Sequence, residues 1–271
     1  MNIYSLTMRE EHLVQLKNHL LRDDGCEHAA YLLCNKALIR HDPWGRCAHG
    51  KYLVSKVIPV PDDQIVESRP DMVTWRTASF VRLLREASSQ DQILGIVHNH
   101  SAGMRWFSSQ DDANEPDLVQ LAVNRNGAGT NLISILLTAD GELAGRVWLH
   151  PKADAFEPLQ MIRVIGARYS LNYAERNSGT PLPALHRQAL AFGNALNSDM
   201  RKLRVGIVGC GGTGSAVAML LARLGVGVGH AQGRDGTELA HGLERSRLQE
   251  PSSDEPVQEA HGLVRRRDQA A

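Results

Sequence analysis

Three things are scarce in this chain of 271 residues, and each scarcity narrows what it can be. Charge of one sign is missing, because 30 basic side chains balance 30 acidic ones. Neither nucleic acid nor an anionic membrane is therefore an expected partner. Paired cysteines are missing as well: Cys26, Cys34, Cys47 and Cys210 are scattered, with no Cys-x-x-Cys among them. That spacing suits reduced thiols in a cytoplasmic protein better than a disulfide framework. Long apolar runs are the third absence. The longest, Ala216 to Leu224, is broken by Arg223 and falls far short of a bilayer span. The opening Met-Asn-Ile-Tyr-Ser-Leu-Thr-Met-Arg-Glu-Glu has neither the basic start nor the apolar core of a secretory signal. A soluble cytoplasmic protein is the expectation. Hydrophobic residues at 42% suffice for an ordinary core, and the length fits one large domain or two smaller ones.

What is present begins with a regular alternation of elements over residues 1–150. Residues 1–7 read as a short strand and Glu10 to Leu21 as an amphipathic helix, with Leu13, Leu16 and Leu20 near helical spacing. Glu27 leads into an apolar block, Ala29 to Cys34, that reads as a buried strand with Tyr52 to Val60 as its partner. Thr77 to Ala87 is helical in pattern, Ile93 to Val97 is a buried strand, and Ser109 to Asn124 is a further helix. Leu132 to Leu149 predicts a hairpin turning at Asp140-Gly141. The order predicts a mixed α/β domain with a largely antiparallel sheet and flanking helices.

The chemistry starts at His98-Asn99-His100, directly behind the buried strand. Residues two apart on a strand share a face, so both imidazoles can converge on one divalent ion. A catalytic site of that kind takes three protein ligands and leaves one position open. Asp112 is the candidate third ligand, just inside a helix whose N-terminal end favours a carboxylate. Each piece also has a plainer reading. A His-x-His on an edge strand can be mere surface, and Ser109 to Asp112 can be a helix start with Ser109 as N-cap and Asp112 closing a capping box.

Taken jointly, His98-x-His100-Ser101, seven residues, Ser109, two residues and Asp112 resembles the JAMM signature of JAB/MPN-type metalloproteases. Ser101 stands where that family commonly has proline. The resemblance implies a zinc ion on His98, His100 and Asp112, held by a JAB/MPN (cytidine-deaminase-like) mixed sheet. It also implies a glutamate far upstream at a strand start, and Glu27 fits that place, although an ordinary exposed carboxylate would stand there equally well. A carboxylate beside the ion would take a proton as water attacks a carbonyl and hand it to the leaving amine. The same resemblance gives the Ser109 hydroxyl a role in stabilising the oxyanion. Glu10, Glu11 and Glu115 are weaker candidates, because their predicted helices give them no reason to face the site. His28 and His41 read as surface or structural histidines, and Trp106 as a substrate contact or a pin for its loop.

Residues 151–183 are polar and predict a connector. Leu185 to Leu196 reads as a helix and Leu203 to Val208 as a strand entering Gly209-Cys210-Gly211-Gly212-Thr213-Gly214 before a helix from Ala216. Glycines between strand and helix permit a tight turn and close backbone approach to phosphate. This stretch resembles the nucleotide loop of ThiF-like and ubiquitin-activating adenylyltransferases, and JAB–ThiF fusions form a bacterial family. The resemblance covers residues 184–228 only, an incomplete Rossmann-like βα fragment with Gly209, Gly211, Gly212 and Gly214 as candidate cofactor residues. No second strand with an acidic end is visible after Gly225, and the polar residues 229–271 predict a disordered tail foreign to the family, through truncation or a frameshift. ATP binding is not expected of this chain alone, and a homodimer through the ThiF-like part only if that part is complete. The pairing suggests a ubiquitin-like or sulfur-carrier protein as partner, cleaved after its C-terminal glycine. Activation of such a protein by adenylylation, or a non-catalytic MPN scaffold, are the alternatives.

Overall fold

Runs of consecutive apolar residues, buried on both faces, build the central strands of the first of the chain's two compact units, Met1–Glu175. The computed structural model describes residues 2–40, 47–100, 104–152, 155–174, 183–209, 211–226, 228–232 and 238–242. His41, Ser101 and Cys210 lie outside the described residues, as does the tail after 242. In chain order the first unit runs β1 (Ile3–Arg9), α1 (Glu10–Leu20), β2 (Ala29–Ile39), β3 (His49–Pro59), β4 (Ile65–Arg69), β5 (Met72–Trp75) and α2 (Ala78–Ser89). It continues through β6 (Gln92–His100), α3 (Ser109–Asn126), β7 (Leu132–Thr138), β8 (Leu143–Trp148), β9 (Phe156–Ile165) and β10 (Ser170–Tyr173).

Eight strands form one sheet in the order β1-β3-β2-β6-β7-β8-β9-β10, and β1 also pairs with β9. The sheet thereby closes into a barrel-like ring, which removes the free edges an open sheet would present. Most neighbours are antiparallel, as the sequence predicts, but β1–β3, β1–β9 and β6–β7 run parallel. The parallel β6–β7 pair is joined by α3, a crossover that carries the chain away from the end of β6. β4 and β5 form a separate two-stranded hairpin.

Strand alternation splits the buried residues into two cores. Ala30, Leu32 and Cys34 of β2 face one side with Val97, Ile135, Leu137 and Ile162, against Leu16 and Leu20 of α1. Ala29, Tyr31 and Leu33 face the other side with Leu94 and Ile96, packed on Phe80, Leu83 and Leu84 of α2 and on Val119 and Ala122 of α3. Each fully buried Leu, Ile or Phe contributes roughly 1.5–3 kcal/mol. The even-numbered face of β6 therefore looks at the two helices, and this decides where its histidines point. Among the described residues Cys26, Cys34 and Cys47 are free thiols, and no helix is long and apolar enough to cross a membrane.

Two expectations about the domain's borders need correction. Residues 151–183 are not simply a connector, because β9 and β10 complete the ring: Leu159, Ile162 and Val164 supply buried apolar side chains amid polar neighbours. The first unit accordingly extends past residue 150. In the second unit, Arg176–Ala271, the helix expected over 185–196 is two helices, α4 (His186–Phe192) and α5 (Asn194–Lys202). Gly193 between them has φ +86°, a left-handed conformation that ends the first helix. β11 (Arg204–Val208), α6 (Gly212–Arg223) and β12 (Val228–Gln232) then form a βαβ arrangement with parallel strands, and β13 (Glu238–Gly242) adds antiparallel to β12. The tail from 229 thus contributes two paired strands where a disordered segment is expected from composition.

Candidate metal centre

The site lies at the C-terminal end of β6. His98 and His100 share the helix-facing side of the strand and are 4% and 3% exposed. Their Nε2 atoms approach to 3.3 Å. Ser108 stands in extended conformation at the entry to α3 and caps it: its Oγ accepts from the Asp111 backbone N–H at 3.2 Å. In return the Asp111 carboxylate accepts from the Ser108 backbone N–H and from its hydroxyl, both at 2.7 Å. This capping box swings Asp111 back over the strand end. Its Oδ1 is 3.4 Å from His98 Nε2 and its Oδ2 is 3.7 Å from His100 Nε2.

These three side chains form a group able to hold a metal ion. A tetrahedral ion with bonds of about 2.0–2.1 Å keeps its ligand atoms about 3.3 Å apart. The observed separations of 3.3, 3.4 and 3.7 Å match that spacing. Two imidazoles and a carboxylate are a donor set that suits zinc. Without a cation or a shared proton, the facing lone pairs of this buried cluster would repel, so the residues fit the group the resemblance implies.

The third ligand and the serine are therefore one position earlier than expected. Asp112 does not join the histidines. Its side chain is half exposed and accepts a hydrogen bond from Arg146. Ser109 is exposed on the first turn, and the hydroxyl at the site belongs to Ser108. Ser108-Ser109 and Asp111-Asp112 are doublets, so both residue types survive a slip of one position. On a helix that slip rotates each side chain by about 100°, which separates a ligand from a solvent-facing neighbour.

Glu27 enters from the facing strand. β2 and β6 are antiparallel with Ala29 opposite His98, so the position two residues earlier falls opposite His100. Glu27 Oε1 lies 3.8 Å from His100 Nε2, and the side chain is buried. Burial raises its pKa to about 7, opposed in part by the positive potential of His98 and His100. Burial also pushes His98 down, but the Asp111 carboxylate overrides this and leaves it raised. For Asp111 burial acts upward and is outweighed by hydrogen bonds from His100 and His98, which hold its carboxyl well below the usual range.

The backbone around Glu27 is fixed by residues that sequence reasoning does not single out. Asn99 points to the opposite face from the two histidines, where its Oδ1 accepts from the His28 N–H at 2.6 Å and its Nδ2 donates to the Cys26 carbonyl at 3.2 Å. On the other side, the Glu27 N–H donates to the Arg69 carbonyl and Ser68 Oγ donates to the Glu27 carbonyl, at 2.8 and 2.7 Å. The end of β4 thus grips the segment. A buried Asn between two histidines is the available signal. His28 is structural, paired with Asp24 at 2.9 Å, and Trp106 is 66% exposed. Glu10 caps the Ala167 N–H, Glu11 pairs with Arg9 on the surface, and Glu115 binds Arg146, so none of the three takes the place of Glu27 beside the cluster.

The glycine loop has the expected strand–loop–helix setting. Gly209 has φ +90°, and a Cβ on Gly214 would collide with the Gly209 carbonyl oxygen, so the loop's own closure demands glycine there. Around Gly211 and Gly212 a Cβ would meet nothing within 4 Å.

A closed mixed sheet with flanking helices and a buried His-His-Asp cluster at one strand end defines an α/β domain with a candidate metal site. The chain belongs to the prokaryotic homologs of the JAB domain, whose family model matches residues 9–150, and a ThiF family model matches residues 185–230. The pairing is that of a JAB–ThiF fusion. No curated protein matches the chain. Among solved structures, it is similar to the solution structure of protein DSY2949 from Desulfitobacterium hafniense, at 12% identity over 59% of this chain and 92% of that one. The TM-score of that pair is 0.39.

Proposed function

We propose that the first unit is a zinc-dependent peptidase or isopeptidase that cleaves after the C-terminal glycine of a ubiquitin-like or sulfur-carrier protein. The observation that carries this reading is Glu27, a buried carboxylate 3.8 Å from one member of a three-ligand cluster. His98, His100 and Asp111 would hold the ion. Bound there, it supplies Lewis acidity toward a carbonyl oxygen and makes water more acidic. Glu27, buried 3.8 Å from His100, would accept the proton of the attacking water and return it to the leaving nitrogen. Asn99, Ser68 and Arg69 hold its backbone while it does so. The Ser108 hydroxyl, which donates to Asp111 at 2.7 Å, would supply a further donor beside the cluster for the substrate oxygen. The substrate class rests on the ThiF match, since such domains act on the same kind of C-terminus.

The retained ligands speak for catalysis over a scaffold role. The adenylyltransferase relationship of the second unit supports the choice of partner, and ATP-dependent activation is the alternative activity. The test is cleavage of a carrier protein extended by an amide-linked reporter after its terminal glycine, alongside zinc analysis of the same preparation. Stoichiometric zinc with chelator-sensitive cleavage, and a loss of roughly 10²–10⁴-fold in kcat on Glu27→Gln with zinc retained, is the expected result. Wild-type protein without bound metal, or cleavage indifferent to Glu27→Gln, overturns it. ATP–pyrophosphate exchange by the purified chain would establish the alternative.

A further inference from the structure

Arg146 of β8 is 3% exposed, in a place where a cation is costly to bury. Two carboxylates of α3, one turn apart, hold its guanidinium: Nε donates to Glu115 Oε2 at 2.9 Å and Nη1 donates to Asp112 Oδ1. Its third nitrogen, Nη2, has no partner among the described residues. Glu115 is in turn held from the sheet, accepting from Ser134 Oγ at 2.6 Å and from Trp148 Nε1. The guanidinium carbon sits 3.9 Å from the centre of the Phe107 ring, and 4.8 and 5.1 Å from those of Phe156 and Trp148. Phe107 meets His98 edge-on, with ring centroids 6.1 Å apart.

The Arg146 side chain therefore reaches two of the three ligands without touching either. Through Asp112 it grips the first turn of α3 at the residue after Asp111, and through Phe107 it backs the ring of His98. We infer that Arg146 is a positioning residue for the metal cluster, with Asp112 as its handle on the ligand-bearing turn. The inference rests on the metal site proposed above. A buried ion pair of this kind gives little net stability compared with an apolar replacement, since desolvation offsets most of its attraction. What it gives is geometry: a planar fork against two carboxylates, stacked on aromatic rings, has one orientation. α3 is thereby pinned to the sheet at the height where Asp111 must face β6.

Metal affinity and the visible spectrum of the cobalt-substituted full chain test this, because the spectrum reports ligand geometry independently of activity. Arg146→Met is expected to weaken zinc binding by roughly 10–100-fold, as loss of a supporting contact typically does, and to change the cobalt bands. Asp112→Ala, a substitution at a half-exposed helix position that leaves Arg146 with Glu115 as its remaining carboxylate, is expected to weaken zinc toward the lower end of that range, roughly tenfold, with a smaller spectral change. Arg146→Lys, which keeps the charge and loses the fork, should resemble Arg146→Met more than wild type. Should Arg146→Met fail to fold, Asp112→Ala decides the matter alone. Folded Asp112→Ala with wild-type zinc affinity and cobalt spectrum overturns the inference. A wild-type chain that binds neither metal would instead fail the underlying site assignment, and the two failures are thus distinguishable.

Discussion

The chain carries two motifs on the same kind of scaffold, and they end in opposite surroundings. In the first unit β6 runs through residues 101–108 into α3; in the second, β11 runs through residues 209–211 into α6. At the first junction His98, His100 and Glu27 are all at most 5% exposed, and two cores pack beneath them. At the second, Val208 at the end of β11 is 95% exposed and α6 has no buried residue. A glycine motif records only the path of the backbone, which a short fragment can follow without a core. A histidine motif records convergence of side chains, and it is expressed only where packing holds several elements together. Burial therefore tests the first motif and says little about the second.

Loss of a ligand should break the contrast most severely. His98→Ala or Asp111→Ala is expected to abolish stoichiometric zinc in dialysed protein measured by elemental analysis, and retention of one equivalent by either variant would remove the cluster from the proposal. Next comes the buried acid. In the unfolded chain Glu27 titrates near 4.5, and in the folded metal-free protein near 7. Between those values only the unfolded chain gives up the proton, so Glu27 costs nothing below pH 4.5, costs progressively more through the window and costs in full above it. Metal-free Glu27→Gln should therefore exceed wild type in stability by about 3 kcal/mol above pH 7 and equal it below pH 4.5 in urea melts. Equal stability at both pH values would argue that the carboxyl is not buried in solution.

A smaller effect sharpens the register of α3. Ser108→Ala removes the N-cap and should cost about 1 kcal/mol, whereas Ser109→Ala at the exposed next position should change stability by less than about 0.5 kcal/mol. Reversal of that order in thermal melts would restore the register expected from the sequence. The smallest effect concerns the second unit. Gly214→Ala places a methyl against the Gly209 carbonyl and disturbs that loop, yet zinc content should stay unchanged. Zinc loss in that variant would show that the two units are not independent in this respect.

Much of the site is legible in the sequence, and the part that is not has a definable reason. His98 and His100 are readable because strand period two is rigid, whereas Glu27 at its strand start is singled out only by the resemblance to the JAB/MPN family. The choice between Asp111 and Asp112 is not readable. Spacing rules count residues, and doubled Ser and Asp leave the count ambiguous by one, while a helix turns that one step into a different face. Asn99 and Arg146 escape notice because their partners are remote in the chain: Asn99 reaches Cys26, 73 positions away, and Arg146 reaches Glu115, 31 positions away. Arg146 does leave a trace, a charge inside the apolar run Leu143 to Trp148. β9 and β10 read as connector because their apolar residues are sparse and interrupted by Pro158 and several polar side chains.

By itself the sequence determined the alternation of elements, the family, and a pair of histidines on one face of a strand. Local periodicity is enough for the elements and the histidine pair, because they depend on residues within a few positions of one another, and the family follows from resemblance along residues 9–150. Only the tertiary structure decided that the sheet closes, that Asp111 joins the histidines and that Asp112 belongs to Arg146. Those outcomes depend on which way a helix is rotated when it docks, and docking is settled by cores drawn from the whole unit.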